Sequence, residues 1–111
     1  MWLFTTQGFY SVVADRDDPE RVLVRARARE DIEALRRQIP GIEPFSEPGS
    51  DYRWRAFVLR SEWEEAISRL AAEIDYDNFK NAVADRQGYG RSHLYMEVWQ
   101  ALLKLQQSGE E

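Results

Sequence analysis

Two segments of the chain alternate between two kinds of side chain, and this alternation constrains the fold more than any other feature. The even-numbered positions are apolar: Val22, Val24, Ala26, Trp54, Ala56 and Val58. The odd-numbered positions mix arginines with apolar residues: Arg21, Leu23, Arg25, Arg27, Arg53, Arg55, Phe57 and Leu59. Because successive side chains of a strand point to opposite faces, we predict two paired strands, 21–27 and 53–59. One face of their sheet is buried and the other carries arginines.

A hairpin is predicted at the start of the chain. Residues 2–5 and 9–13 are rich in aromatic and β-branched side chains, which favour strands. The three residues between them are short enough for a hairpin loop, and Gly8 can supply a positive φ there. A polar turn at 15–20 then leads into the first alternating segment.

Two helices flank the strand 53–59. Residues 30–39 carry an apolar stripe, with acidic residues at the start and basic residues at the end, as the helix dipole favours. The proline- and glycine-rich residues 40–51 indicate a loop. Ser61 stands three residues before Glu64, the spacing of a capping box, which predicts a helix from Ser61 to about residue 74.

Two further helices are predicted in the last third of the chain. A short one lies within 75–86, and Ser92 can cap a final helix that reaches about Gln107. The final helix has an apolar stripe: Leu94, Val98, Leu102 and Leu105. We expect Trp63 and Trp99 in the core and Trp2 at a sheet edge or an interface.

The order β-β-β-α-β-α-α-α predicts an α+β fold. We expect a two-layer sandwich in which a small antiparallel sheet has helices packed on one face, with a ferredoxin-like arrangement as one variant. A chain of 111 residues has the usual length of one domain. We therefore predict a single domain over 1–107 and a disordered tail at 108–111.

The composition excludes several classes of protein. The chain has no cysteine, which rules out disulfides and cysteine-based zinc sites. Its net charge of −5 makes a nucleic-acid partner unlikely. It has no signal-peptide pattern and no run near the roughly 20 apolar residues that span a bilayer, so we expect a cytoplasmic protein without membrane association.

Three stretches resemble a group of short bacterial and phage proteins. They are the opening MWLFTTQGFYSVV, the run Ile74 to Lys80 that contains DYDNFK, and the stretch Tyr95 to Trp99. The resemblance spans nearly the whole chain. It implies a cytoplasmic, stand-alone protein and supplies no catalytic residues.

The first candidate site is the arginine face of the predicted sheet. If the two alternating strands pair, four arginines can project together, with Tyr10 or Phe57 near them: Arg25, Arg27, Arg53 and Arg55. Arginines interleaved with aromatic rings can clamp phosphates and stack bases. The same residues also suit a solvated face that covers apolar area with arginine stems, or a protein interface.

The second candidate site is the polar segment 75–91. Its candidate ligand-binding residues are Tyr76, Asn78, Lys80, Arg86, Tyr89 and Arg91. Asp75 and Asp77 could hold a divalent metal beside Lys80, but Asp77 also suits a helix cap. The glycine-containing turn at 86–91 could bind an anion or be a plain turn between helices.

These observations favour a small non-enzymatic binding protein that forms a homodimer or binds a protein partner. One alternative is a binder of a nucleotide or another phosphorylated, anionic small ligand. A second is a metal-dependent hydrolase that uses Asp75 and Asp77. His93 is the only histidine and lacks a nucleophile motif, so we predict no catalytic residue, no metal site and no cofactor.

Overall fold

The computed structural model describes residues 1–109, which divide into two units, Met1–Asp75 and a second unit that begins at Tyr76. The prediction of one domain over 1–107 stays a prediction. Ser108 and Gly109 belong to the last helix rather than to the predicted tail. Residues 110 and 111 of that tail lie outside the described residues.

The first unit contains a five-stranded antiparallel sheet. Its strands are β1 Trp2–Phe4, β2 Phe9–Ala14, β3 Arg21–Ala26, β4 Phe45–Ser46 and β5 Trp54–Leu59. Their order across the sheet is β1-β2-β3-β5-β4, and every neighbouring pair is antiparallel. The predicted pairing of the two alternating segments is confirmed, since β3 and β5 pair over six residues. Strands β1 to β3 follow one another as a meander, which differs from the split βαβ arrangement of a ferredoxin-like fold.

Strand β4 lies inside the segment predicted to be a loop, so that part of the prediction is wrong. The strand has only two residues, too few to show alternation, and prolines stand close to it on both sides, at Pro44 and Pro48. It pairs with β5 through Phe45 opposite Arg55 and Ser46 opposite Trp54.

Two helices cover one face of the sheet. Helix α1, Arg29–Gln38, and helix α2, Arg60–Ala72, both contact β3 and β5. The core between them is buried: Tyr10, Val12, Val22, Val24, Ala26, Ile32, Leu35, Ala56, Val58, Trp63 and Ala66. Each large apolar side chain buried there stabilises the fold by about 1.5–3 kcal/mol. The two-layer α+β fold and the core position of Trp63 are confirmed.

The turn between β1 and β2 is held against the start of α1 by Asp31. This carboxylate is buried and accepts the backbone N–H of Phe9 at 3.0 Å, while the hydroxyl of Tyr10 donates to the Asp31 carbonyl at 2.8 Å. A Cβ on Gly8 would lie 2.7 Å from the Asp31 carboxyl carbon. Gly8 is therefore needed for space, and it does not have the positive φ that the sequence suggested.

Helix α2 follows β5 without a connecting residue. The helix begins at Arg60, and no side chain caps it. The predicted capping box at Ser61 is therefore wrong, because Ser61 already lies inside the first turn. The Arg60 N–H instead donates to the carbonyl of Glu20 at 2.7 Å, in the turn between β2 and β3.

The second unit is a pair of helices, α3 Phe79–Gln87 and α4 Tyr89–Gly109. Asn78 caps α3 by accepting the N–H of Asn81 at 2.9 Å, so the cap predicted at Asp77 is one residue off. Ser92 is not a cap either. It lies within α4, is buried, and its hydroxyl donates to the Lys80 carbonyl at 2.9 Å.

Within residues 1–109, no helix combines the length and the apolar character that a bilayer crossing requires.

Candidate functional site

The sheet face opposite α1 and α2 carries the odd-numbered residues of the alternating strands, and we call it the open face. The strand register puts Val13, Leu23 and Phe57 side by side across β2, β3 and β5. This set is called the apolar row. Val13 and Phe57 are each 39% exposed, and Leu23 is half-buried. The centre of the open face is therefore apolar and accessible.

A polar row runs beside the apolar row. Ser11, Arg25 and Arg55 are opposite one another on β2, β3 and β5. Arg25 donates from Nη2 to the Ser11 hydroxyl at 2.7 Å. Arg55 pairs with the carboxylates of Glu47 at 3.4 Å and Asp51 at 3.7 Å. These contacts offset the repulsion between two cations that face each other across strands.

The ring of Tyr52 is buried beneath two of the predicted site arginines. The guanidinium carbons of Arg25 and Arg27 lie 4.7 Å and 4.3 Å from its centroid, within cation–π distance. Arg27 also donates to the Asp51 carbonyl at 3.1 Å, and Arg55 donates to the Tyr52 carbonyl at 3.0 Å. Three of the four predicted arginines thus gather around the segment 51–52.

The fourth arginine makes different contacts. Arg53 donates to the Ser46 hydroxyl at 3.2 Å and lies 5.4 Å from the ring of Trp54. Tyr10, expected near the arginines, faces the core instead. Phe57 does lie on the open face, but the guanidinium next to it belongs to Arg21, 4.3 Å from its ring.

Arg21 is the open-face residue that the sequence analysis missed as a site candidate. Its guanidinium pairs with Asp15 at 2.6 Å and with Asp18 at 3.7 Å. The pKa of the Asp15 carboxyl group is lowered chiefly by the backbone N–H of Asp17, which binds it; burial raises the pKa, and the Arg21 side chain, which also binds the carboxylate, lowers it further. The alternation of β3 places Arg21 on the same face as Arg25, so the sequence pattern could have identified Arg21 as a site candidate.

Aromatic rings continue the open face toward β1 and β4. The ring of Phe4 stacks on Phe9 at 4.5 Å, and Trp2 meets Phe9 edge-on at 5.9 Å. Trp2 is largely exposed on the edge strand β1, where an edge position was predicted. On the other side Phe45 stacks on Phe57 at 5.8 Å.

The second candidate cluster lies in the second unit, where a chain of ring contacts through Phe79 and Tyr95 connects three of its side chains, Tyr76, Arg86 and Arg91. Arg86 lies 5.9 Å from the ring of Tyr76, and Arg91 donates to the Tyr95 hydroxyl at 3.1 Å. Asn78 is used as the α3 cap.

An open groove between α3 and α4 is lined in part by Lys80, Tyr89 and His93. All three side chains are exposed. The groove therefore has a lysine and a histidine at its surface.

The described residues contain no group of three or more histidines, aspartates or glutamates that could hold a metal ion. Asp75 ends the first unit, and Asp77 belongs to the second. The hydrolase alternative rests only on the sequence spacing of these two carboxylates.

Several large apolar side chains of α4 are exposed, and one of them, Trp99, was predicted to lie in the core. The exposed side chains are Leu94 at 54%, Trp99 at 57%, Leu102 at 57% and Leu105 at 73%. The core prediction for Trp99 is therefore wrong. The spacing of the stripe identified an apolar helix face correctly but did not say what lies against it.

Comparison with models of known protein families, with curated proteins and with solved structures gave no match in any of the three. The functional argument therefore rests on the residues themselves.

Proposed function

We propose that this protein is a small non-enzymatic interaction protein whose open face binds the open face of a second copy. The observation that carries the proposal is the apolar row of Val13, Leu23 and Phe57, which crosses the three central strands and stays accessible. Two sheets that each have one uncovered apolar face can pack face to face as a sandwich. Apolar and aromatic centres with arginine nearby are also the composition of protein interfaces.

The charges around the apolar row are compatible with a second copy. Arg21 forms ion pairs with Asp15 and Asp18 of the same chain, and Arg55 forms ion pairs with Glu47 and Asp51. Because these two cations are neutralised within each chain, neither becomes an unpaired buried charge, which would oppose binding, when two open faces come together.

The same contacts support a protein partner over a phosphorylated ligand. A phosphate on Arg55 would have to compete with two carboxylates, and Arg25 already donates to Ser11. The nucleotide-binding and metal-hydrolase alternatives stay predictions.

Two neighbouring residues of β2 provide a matched test. Val13 lies in the apolar row, whereas Ala14 pairs with Val22 on the opposite side of the strand and is also exposed. We expect Val13→Glu to lower the average mass measured by size-exclusion chromatography with light scattering, because a carboxylate would be buried in the interface. Ala14→Glu, with the same added charge, should leave the mass at the wild-type value. Circular dichroism checks that both variants are folded.

Two outcomes would contradict the proposal. One is a wild-type protein that stays monomeric at high micromolar concentration. The other is a folded Val13→Glu variant that associates as strongly as the Ala14→Glu control.

A further inference from the structure

Helix α4 is much longer than the helix that packs on it within the second unit. It has 21 residues and α3 has 9, which correspond to about 31 Å and about 13 Å at 1.5 Å per residue. The contacts between them lie in the first half of α4. Phe79 stacks on Tyr95 at 6.2 Å, and Ser92 binds the Lys80 carbonyl. The second half of α4 therefore extends beyond α3.

Three exposed leucines of α4 and the half-buried Val98 lie on one face of the helix. Leu94, Val98, Leu102 and Leu105 are spaced by four, four and three residues, which keeps them in one stripe. Three of the four are more than half exposed. A helix draws most of its stability from packing such a stripe, so a covering partner for this face is expected.

The charges beside the stripe identify the partner. Glu97 and Lys104 are seven residues apart, two turns of the helix, so they lie on the same side of the stripe. Both are exposed. We propose that α4 pairs in antiparallel orientation with α4 of a second copy. This orientation places Glu97 opposite Lys104 of the second copy and Leu94 opposite its Leu105. In a parallel pair the two copies of this flank lie on opposite sides of the interface, so Glu97 and Lys104 would not meet.

This surface is separate from the open face and does not depend on it. A variant altered at one surface keeps the other.

Charge reversal tests the pairing of Glu97 with Lys104. We expect Glu97→Lys and Lys104→Glu each to weaken self-association roughly tenfold in Kd, measured by sedimentation equilibrium, because each change turns two attractive contacts into repulsive ones. The double variant Glu97→Lys/Lys104→Glu should restore wild-type association. Asp85→Lys, an exposed charge reversal on α3, is the control and should have no effect.

Cysteine cross-linking tests the antiparallel orientation. The chain has no cysteine of its own, so single-cysteine variants report one position each. A mixture of Leu94→Cys with a tagged Leu105→Cys should form the mixed disulfide dimer in preference to either self-dimer. Dimers of Leu94→Cys with itself would instead indicate a parallel pair and would overturn the proposal.

The outcomes separate this inference from the proposed function. One outcome is that the charge reversals weaken self-association, the double variant restores it, and Val13→Glu leaves it unchanged. This outcome supports the α4 pairing and contradicts the open-face interaction. If the single reversals leave association unchanged, or the double variant fails to restore it, the α4 pairing is overturned whatever Val13→Glu does.

Discussion

The two faces of the sheet consist of alternate residues of the same strands, but one face is covered by helices and the other is not. The covered face presents small and branched apolar side chains such as Val24 and Ala56, both fully buried, so that α1 and α2 can pack closely on them. The open face presents aromatic rings and arginines, and its ion pairs lie beside the apolar row. The side-chain alternation alone assigns one face to the core and leaves the other uncovered by α1 and α2.

The largest expected difference in the free energy of unfolding is between two leucine-to-alanine substitutions, one on each side of the sheet. Leu35 of α1 is buried in the core, and Leu59 at the end of β5 is about half exposed on the open face. Leu35→Ala should lower the free energy of unfolding by about 2–5 kcal/mol because it leaves a cavity. Leu59→Ala should change it by about 0.5 kcal/mol or less. Urea denaturation measures both, and equal losses would remove the distinction between the faces.

A smaller loss of stability is expected at Gly8, which packs against the buried carboxylate of Asp31. Gly8→Ala should cost about 1–3 kcal/mol, since the added methyl group meets the Asp31 carboxyl carbon. Gly41→Ala, where nothing lies within 4 Å of the added carbon, is the control and should be nearly neutral. The loss at Gly8 should shrink in an Asp31→Ala background, measured as a double-mutant cycle. Part of the loss should remain, because alanine keeps the Cβ of residue 31, which lies 2.9 Å from the added carbon. An unchanged loss in that background would mean that the Asp31 carboxyl group contributes nothing to it.

The smallest effect concerns the open face and depends on pH. The pKa of Asp15 is lowered in the folded protein, chiefly by the Asp17 N–H and also by Arg21. A carboxyl group with a lowered folded-state pKa stabilises the fold above its ordinary pKa of 3.8, and this stabilisation is lost as the pH falls through the folded-state value. Asp15→Asn should therefore lower stability at neutral pH and reduce its decline in acid.

Urea midpoints from neutral pH to below 3.8 measure this change. The control is Asp17→Asn, which removes a neighbouring exposed carboxylate but keeps the backbone N–H that binds Asp15. An acid decline in Asp15→Asn as steep as in the wild type would show that this carboxyl contributes nothing to it.

The strands and their pairing were predictable because alternation is a local property of the sequence. The residues that alternate in 21–27 and 53–59 became β3 and β5, and the core-facing set was correct. Strand β4 was not predictable from alternation, since two residues carry no period. The start of α2 was predicted one residue late because no side chain caps this helix, and the Arg60 N–H binds the Glu20 carbonyl instead.

The candidate site was predictable only in part. Alternation put Arg25, Arg27 and Arg55 together, but their contact with Tyr52 depends on how the loop before β5 folds back, which has no local signature. The α4 stripe was identified by its spacing. Its exposure was not, because helical periodicity describes one face of a helix and says nothing about its neighbours.

The junction between β5 and α2 has a consequence for motion. The strand ends at Leu59, the helix begins at Arg60, and the Arg60 N–H is bound to Glu20 in the turn before β3. Because no residue separates the strand from the helix, the first turn of α2 cannot unfold without disturbing β5 and the turn before β3. These three elements should open together as one cooperative unit, so disturbance of the sheet at Leu59 would be transmitted directly along the helix that covers its other side.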